Sequence, residues 1–228
     1  ASKGLADYLK ATAGESISQG VVIAYDSRNH SQEFAKVAAN VLTSAGIPVK
    51  LFKELEPIPV LSFAVKHFHA AGGVVVTASH NPPEYNGYKV YGSNGAQLVP
   101  KDADVLTSYV EAITDLSAID TQGNEALLTW LDQDVVDLFV DTIFQQSYYQ
   151  GNPPDLSIVY TPIHGSGSKP VQKILQKAGF TNVHVVKEQE EPNGDFLTVT
   201  SPNPENEEAL TMGIELAKQV GADIVIGT

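Results

Sequence analysis

Short apolar runs of strand length alternate along the chain with stretches in which apolar residues return every three or four positions, a pattern that predicts an α/β protein. Val21-Val22-Ile23-Ala24-Tyr25, Val49-Lys50-Leu51-Phe52 and Gly73 to Thr77 read as the first three strands, with a helical stretch between each pair. The helix after the first strand is expected to bury a stripe of Phe34, Val37, Ala38, Val41, Leu42 and Ala45, with Ser31 as N-cap and Gly46 as stop. Asn86-Gly87 is a turn signal that feeds a short strand over Tyr88 to Tyr91. That hairpin makes the sheet mixed rather than wholly parallel. Two acidic helices are expected next, the second with Val135, Leu138, Phe139, Ile143 and Phe144 on its buried face.

Gly151-Asn152-Pro153-Pro154 is the clearest break, because two prolines and a glycine neither continue a helix nor fit a central strand. The expected division is therefore residues 1–150 and 151–228. After the break the pattern restarts: strand over Leu156 to Tyr160, helix over Lys169 to Ala178, strand over Val183 to Val186, helix over Pro204 to Val220, and a last strand over Asp223 to Gly227. In that reading Asn203 caps the last helix and Pro204 takes its first position. The fold class is α/β: a three-layer α/β/α domain with a mixed sheet, followed by most of a second, similar domain.

Composition narrows the function classes. The 228 residues carry a formal net charge of −13, with 14 Lys and Arg against 27 Asp and Glu, so the clustered cations that nucleic-acid binding draws on are scarce. Much of the acidity sits between Lys101 and Gln150, where ten Asp or Glu residues oppose Lys101, the composition of solvated helical faces. With no cysteine there is no disulfide framework, no thiolate nucleophile and no cysteine-ligated metal, which fits a cytoplasmic protein. No basic segment leads into an apolar stretch at the front, so neither a secretory signal nor a membrane partner is expected. The first residue is not Met, and the chain reads as trimmed at its front.

Candidate chemistry concentrates in one loop. Thr77-Ala-Ser-His-Asn-Pro-Pro-Glu-Tyr-Asn-Gly-Tyr-Lys89 follows an apolar strand and holds Ser79, His80 and Lys89 in a frame stiffened by Asn81, Pro82, Pro83 and Gly87. A serine hydroxyl needs a base or a cationic environment before it reacts. The Gly-x-Ser-x-Gly elbow of serine hydrolases is absent, since Thr77 and Asn81 flank Ser79 at two positions' distance. Phosphoryl transfer fits better, because a phosphoserine of charge about −1.5 to −2 calls for donors of the kind that backbone N–H groups, His80 and Lys89 supply. Tyr160-Thr-Pro-Ile-His-Gly-Ser-Gly167 is a second small-residue loop between strand and helix, with His164 a further candidate for anion contact. It satisfies neither the dinucleotide fingerprint nor the phosphate-cradling Gly-x-x-x-x-Gly-Lys-Ser/Thr loop. His67, His69 and His184 lack partners at metal-ligand spacing.

Read as a whole, the thirteen positions from Thr77 to Lys89 resemble the active-site signature of the α-D-phosphohexomutases, the phosphoglucomutase and phosphomannomutase family. Tyr25-Asp26-Ser27-Arg28 is similar to that family's Asp-x-Arg segment, and Pro57-Ile58-Pro59-Val60-Leu61-Ser62-Phe63-Ala64 resembles its proline-led helix entry. Tyr160 to Pro170 looks like the opening of the second domain in the phosphoglucomutase and phosphopentomutase branches, and Ser201-Pro-Asn-Pro-Glu205 also looks familial. The resemblance implies that Ser79 carries phosphate, that Lys89 is a general acid/base, that His80 contacts phosphate, and that Asn81, Arg28 and His164 support the loop or the substrate. It implies interconversion of a sugar 1-phosphate and a sugar 6-phosphate, glucose favoured and mannose the alternative, with Mg2+ and a sugar 1,6-bisphosphate activator. It further implies that the Asp-rich Mg2+ loop lies beyond Thr228, so that no metal ligand beyond an oxygen of the Ser79 phosphate is expected here and the piece alone is inactive. A non-catalytic module that binds a sugar phosphate or a protein is the rival reading.

Overall fold

The computed structural model describes residues 1–148, 151 and 154–228. By packing the chain divides into two units. The first comprises Ala1–Asp26, His30–Thr77 and Gly87–Asp132; the second comprises Ser27–Asn29, Ala78–Asn86 and Gln133–Thr228. The main division thus falls after Asp132, whereas the sequence reading draws it at 150/151, and residues 149, 150, 152 and 153 of that stretch lie outside the described residues.

The first unit runs α1 (Ser2–Thr12), β1 (Val21–Tyr25), α2 (Ser31–Ser44), β2 (Val49–Phe52), α3 (Ile58–His67), β3 (Gly72–Val76), β4 (Tyr88–Gly92), α4 (Pro100–Glu111) and β5 (Leu128–Leu131). Its sheet has the order β4-β3-β1-β2-β5, parallel except for the β3–β4 hairpin, so the expected mixed sheet is present. All five residues of β1 are buried because helices cover both faces of the sheet. Val21, Ile23 and Tyr25 pack with Leu5, Ala35 and Leu42, whereas Gly73, on the other face, stands so close to Val65 of α3 that a Cβ there would lie 2.6 Å from its Cγ2. Full burial of side chains such as Ile23 and Leu42 contributes about 1.5–3 kcal/mol each.

Three local expectations need correction. On α2 Ala38, Val41 and Leu42 are buried as expected, but the face continues through Ala35 and Ala39 rather than through Phe34 and Val37, which are 51% and 49% exposed; alanines let the helix lie close to the sheet there, with the larger residues outward. Ser31 is the first helical residue rather than the cap, and its hydroxyl donates to Asp26 Oδ1 at 2.7 Å. Gly46 does take the left-handed stop position, at φ 82°. The strand β5, parallel to β2, lies in the stretch that the sequence reading left between its two acidic helices.

Gly20 shows how tightly β1 is seated. It has φ 75° and ψ −160°, a region open in practice to glycine alone, and a Cβ there would stand 2.1 Å from the Pro48 carbonyl oxygen. Gly20→Ala is expected to cost about 2–3 kcal/mol through strain and overpacking. A lowered denaturant midpoint in chemical unfolding checks it.

The second unit holds α5 (Gln133–Gln145), β6 (Ile158–Thr161), α6 (Ser168–Lys177), β7 (Val183–Val185), α7 (Lys187–Glu190), α8 (Glu207–Val220) and β8 (Ile224–Gly227). Its parallel sheet has the order β7-β6-β8 with β6 fully buried at the centre. Helix α5 buries Val135, Val136 and Val140, not the expected Leu138, Ile143 and Phe144, which are exposed. It is joined to α6 by Lys173–Asp137 at 2.6 Å and Lys177–Asp141 at 2.7 Å, exposed pairs worth about 0–1 kcal/mol each. Asn203 builds a turn by accepting from Glu205 N, and Asn206 is the cap of α8, so the helix starts later than Pro204.

Candidate active site

Parallel strands release their loops at their carboxyl ends, which is where α/β sheets bind ligands. β1 and β3 are neighbours in register, Tyr25 beside Val76, so the chain leaves the sheet twice at one level. The first exit leads through Asp26 into Ser27–Asn29. The second leads through Thr77 into Ala78–Asn86, a loop closed at its base by Thr77 N donating to Gly87 O at 3.0 Å. A cleft of about 420 Å³ opens instead at the amino ends of these strands between Tyr8, Val21, Gly73, Tyr91 and Asp102, and the sequence places no chemistry there.

Ser27–Asn29 and Ala78–Asn86 belong to the same packing unit and are bonded to each other. Arg28, 3% exposed, forks into the serine loop: its Nη2 donates to the carbonyl oxygens of Ser79 (2.7 Å) and Asn81 (2.5 Å), and its Nη1 to those of Pro82 (2.9 Å) and Tyr85 (3.0 Å). Planar guanidinium geometry suits this pattern, since two nitrogens each offer two hydrogens in fixed directions. Asn86 Nδ2 donates to Asn29 O at 3.2 Å, and Ser201 Oγ donates to His80 O at 3.1 Å. Inside the loop, Asn81 N donates to Ala78 O and Tyr85 N to Pro82 O, two successive turns of which the second holds Pro82 and Pro83.

Within that frame Ser79 is exposed and adopts φ 56°, a left-handed conformation that serine reaches only at a cost of about 1–2 kcal/mol. The loop is therefore held in a strained shape by its carbonyl contacts, with the hydroxyl-bearing residue at the solvent face. His80 and Asn81 are exposed beside it. Lys89 lies in the first unit, on β4 opposite Val75, and is partly buried.

His164 sits in the second unit and is differently engaged. It is 4% exposed; Nδ1 lies 3.0 Å from Glu191 O and Nε2 3.0 Å from Thr198 Oγ1. Since Glu191 O can only accept, Nδ1 carries a hydrogen and donates it there, and Nε2 shares the second bond with the Thr198 hydroxyl. Thr198 Oγ1 receives a hydrogen from Gln189 Nε2, and Gln189 Oε1 receives one from Thr161 Oγ1, so a continuous hydrogen-bonded run links Thr161 to Glu191 through His164. His164 N and Gly165 N also have backbone acceptors, Gln189 O and Pro162 O. Ile163 and His164 are both left-handed, at φ 47° and 60°, and this network holds them. Of the remaining histidines, His67 stacks on Phe63 and His184 pairs with Asn182.

Sequence reasoning did not find Phe196. Its ring lies under Arg28, 5.1 Å from centroid to Cζ, and is 3% exposed. The one signal was the turn-rich Pro192-Asn193-Gly194-Asp195 just before an aromatic residue.

Two family models match the chain: phosphoglucomutase/phosphomannomutase, alpha/beta/alpha domain I, over residues 1–117, and domain II of the same family over residues 137–228. The chain belongs to the phosphoglucomutase/phosphomannomutase family. Among its relatives, a Haemophilus influenzae protein named "Probable phosphomannomutase" is 40% identical across 99% of this chain and 46% of its own length. A Staphylococcus epidermidis phosphoglucomutase is 39% identical across 99% of this chain and 41% of its own. A solved structure from Thermus thermophilus aligns with all of this chain and 49% of its own at 25% identity and TM-score 0.77. One of a phosphoglucomutase/phosphomannomutase family protein from Burkholderia thailandensis covers 98% and 47% at 23% identity and TM-score 0.70, a likeness of fold. The chain thus spans under half the length of the curated mutases it matches. Among the described residues no helix is long and apolar enough to cross a membrane.

Proposed function

We propose that this chain is part of a mutase that interconverts a sugar 1-phosphate and a sugar 6-phosphate, with Ser79 as the phosphate carrier. Phosphoserine gives its phosphoryl group to a hydroxyl of the sugar monophosphate: the phosphorus–Oγ bond breaks, a phosphorus–oxygen bond to the sugar forms, the hydroxyl proton leaves to a base, for which Lys89 is the candidate, and the departing Ser79 Oγ takes up a proton to become a hydroxyl. The bisphosphate reorients and returns its other phosphoryl group to Ser79. One observation carries the reading: the exposed Ser79 sits in a strained loop whose carbonyls are turned onto a buried arginine. Carbonyl oxygens engaged in this way no longer repel an anion, and the loop needs little ordering when phosphate arrives.

Glucose phosphates are the favoured substrates, with mannose phosphates second, and a sugar 1,6-bisphosphate is the activator that loads Ser79. Mg2+ is the proposed metal of the whole protein, where it would neutralise charge on the transferring phosphoryl group. Among the described residues no group of three or more His, Cys, Asp or Glu side chains fits a metal ion, so no step of this chain's chemistry is assigned to it. The test is a coupled assay of the full-length protein with activator and Mg2+. Glucose 1-phosphate is expected to exceed mannose 1-phosphate in kcat/KM by about tenfold, a difference of about 1.4 kcal/mol at the transition state. The isolated chain is expected to show no turnover. Turnover of neither sugar by the full-length protein would remove the proposal.

A further inference from the structure

The turn Asn193–Phe196 lies against Ser27–Asn29, and its geometry is more specific than burial of an aromatic requires. Asn193 Oδ1 accepts from Asp195 N at 2.8 Å and Asn193 O from Phe196 N at 3.2 Å, which brings Phe196 to φ 47°, a costly conformation for a bulky side chain. A Cβ on Gly194 would stand 2.5 Å from Asn29 N, so only glycine lets the two backbones touch. Asp195 Oδ1 accepts from Asn29 Nδ2 at 2.6 Å. The turn is tied in turn to the second sheet, because Asn193 N donates to His164 O and the Thr161–Gln189–Thr198–His164 run fixes the segments on either side of it.

We infer that Phe196 is a positioning residue for the Ser79 loop: its ring face holds the Arg28 guanidinium in the plane from which that group grips the loop carbonyls. Arg28 needs such a backing. Four hydrogen bonds fix its two terminal nitrogens, yet their directions are useful only while the guanidinium plane does not swing, and a buried aromatic face attracts the already planar guanidinium. Ordinary core packing would be met by any apolar side chain of similar volume; a ring face would not. The inference deepens the reading of Ser79 as phosphate carrier and rests on it for its kinetic consequence.

Two substitutions separate face from volume. In the full-length protein, Phe196→Leu keeps an apolar side chain and removes the π face, whereas Phe196→Tyr keeps the face. With glucose 1-phosphate, Phe196→Leu is expected to lower kcat about tenfold while KM stays within about twofold, and Phe196→Tyr to restore kcat to within about twofold. Amide hydrogen exchange across residues 78–86 should rise in the leucine variant and not in the tyrosine variant. Gly194→Ala, which drives the turn off Asn29, should reproduce the leucine phenotype, and it decides the matter if Phe196→Leu does not fold. Wild-type kcat and exchange in Phe196→Leu, or equal impairment in leucine and tyrosine variants, overturns the inference. If the unsubstituted protein neither turns over nor carries phosphate at Ser79, the carrier reading falls instead, while the exchange comparison still decides whether Phe196 holds the loop.

Discussion

Ser79→Ala in the full-length protein is expected to lose covalent phosphate and to lower kcat by at least about 10⁴-fold, the scale seen when a nucleophile that forms the covalent intermediate is deleted. The loss should be chemical rather than structural. Ser79 is exposed, and its carbonyl, not its hydroxyl, is the atom that Arg28 holds, so alanine leaves that bond in place. Stability should change by no more than about 0.5 kcal/mol, as for most surface substitutions. Intact-protein mass spectrometry after incubation with a sugar 1,6-bisphosphate reads the first effect, and a coupled assay the second. Phosphate that persists in the alanine variant would assign the carrier to another residue.

How much of this was legible before the structure depends on whether local or distant residues decide each feature. Strands β1, β2, β3 and β4 were plain, because their apolar runs are short and each starts at a breaker, Gly20, Pro48, Gly72 and Gly87 in turn. The order of Ser79, His80, Asn81 and Lys89 was legible for the same reason, being written in thirteen consecutive positions. Helix α2 and half of its buried stripe, Ala38, Val41 and Leu42, were legible, but Ala35 and Ala39 take the places expected of Phe34 and Val37, since the sheet accepts alanines there. The strand β5 was missed. Leu128-Thr129-Trp130-Leu131 is short, and its Thr129 and Trp130 are exposed at the sheet's edge, so the segment lacks the apolar continuity of a central strand.

The site's supports were less legible than its chemistry. Arg28 stood in a recognisable segment, but nothing in the sequence says that it meets four carbonyls more than fifty positions away. His164 was read as an anion contact because small residues surround it. The left-handed turn at Ile163 and His164 instead sends its side chain inward, to Glu191 O and Thr198. Such roles depend on where distant backbone polar groups come to rest, and backbone groups leave no trace in residue type.

Arg28→Ala is expected to give the largest loss of order in the second unit. It strips four carbonyl oxygens of a charged donor and removes the cation from the Phe196 ring. Hydrogen bonds to charged groups contribute about 1.5–3 kcal/mol each, and a desolvated cation–π contact about 2. Because the loop is partly exposed, water replaces some of these bonds, and a net cost of about 4 kcal/mol is expected rather than the full sum. The strained φ at Ser79 then loses what holds it, the loop relaxes, and kcat should fall about 10²-fold, as for an ångström-scale displacement of a reacting group. Arg28→Lys keeps the charge but offers three hydrogens from one atom, which cannot serve carbonyls reached from two separate nitrogens; a loss of about tenfold is expected. Kinetics with glucose 1-phosphate and hydrogen exchange over residues 78–86 measure both variants. A lysine variant equal to wild type would show that charge alone suffices, and unchanged exchange in the alanine variant would show that the loop keeps its shape without Arg28.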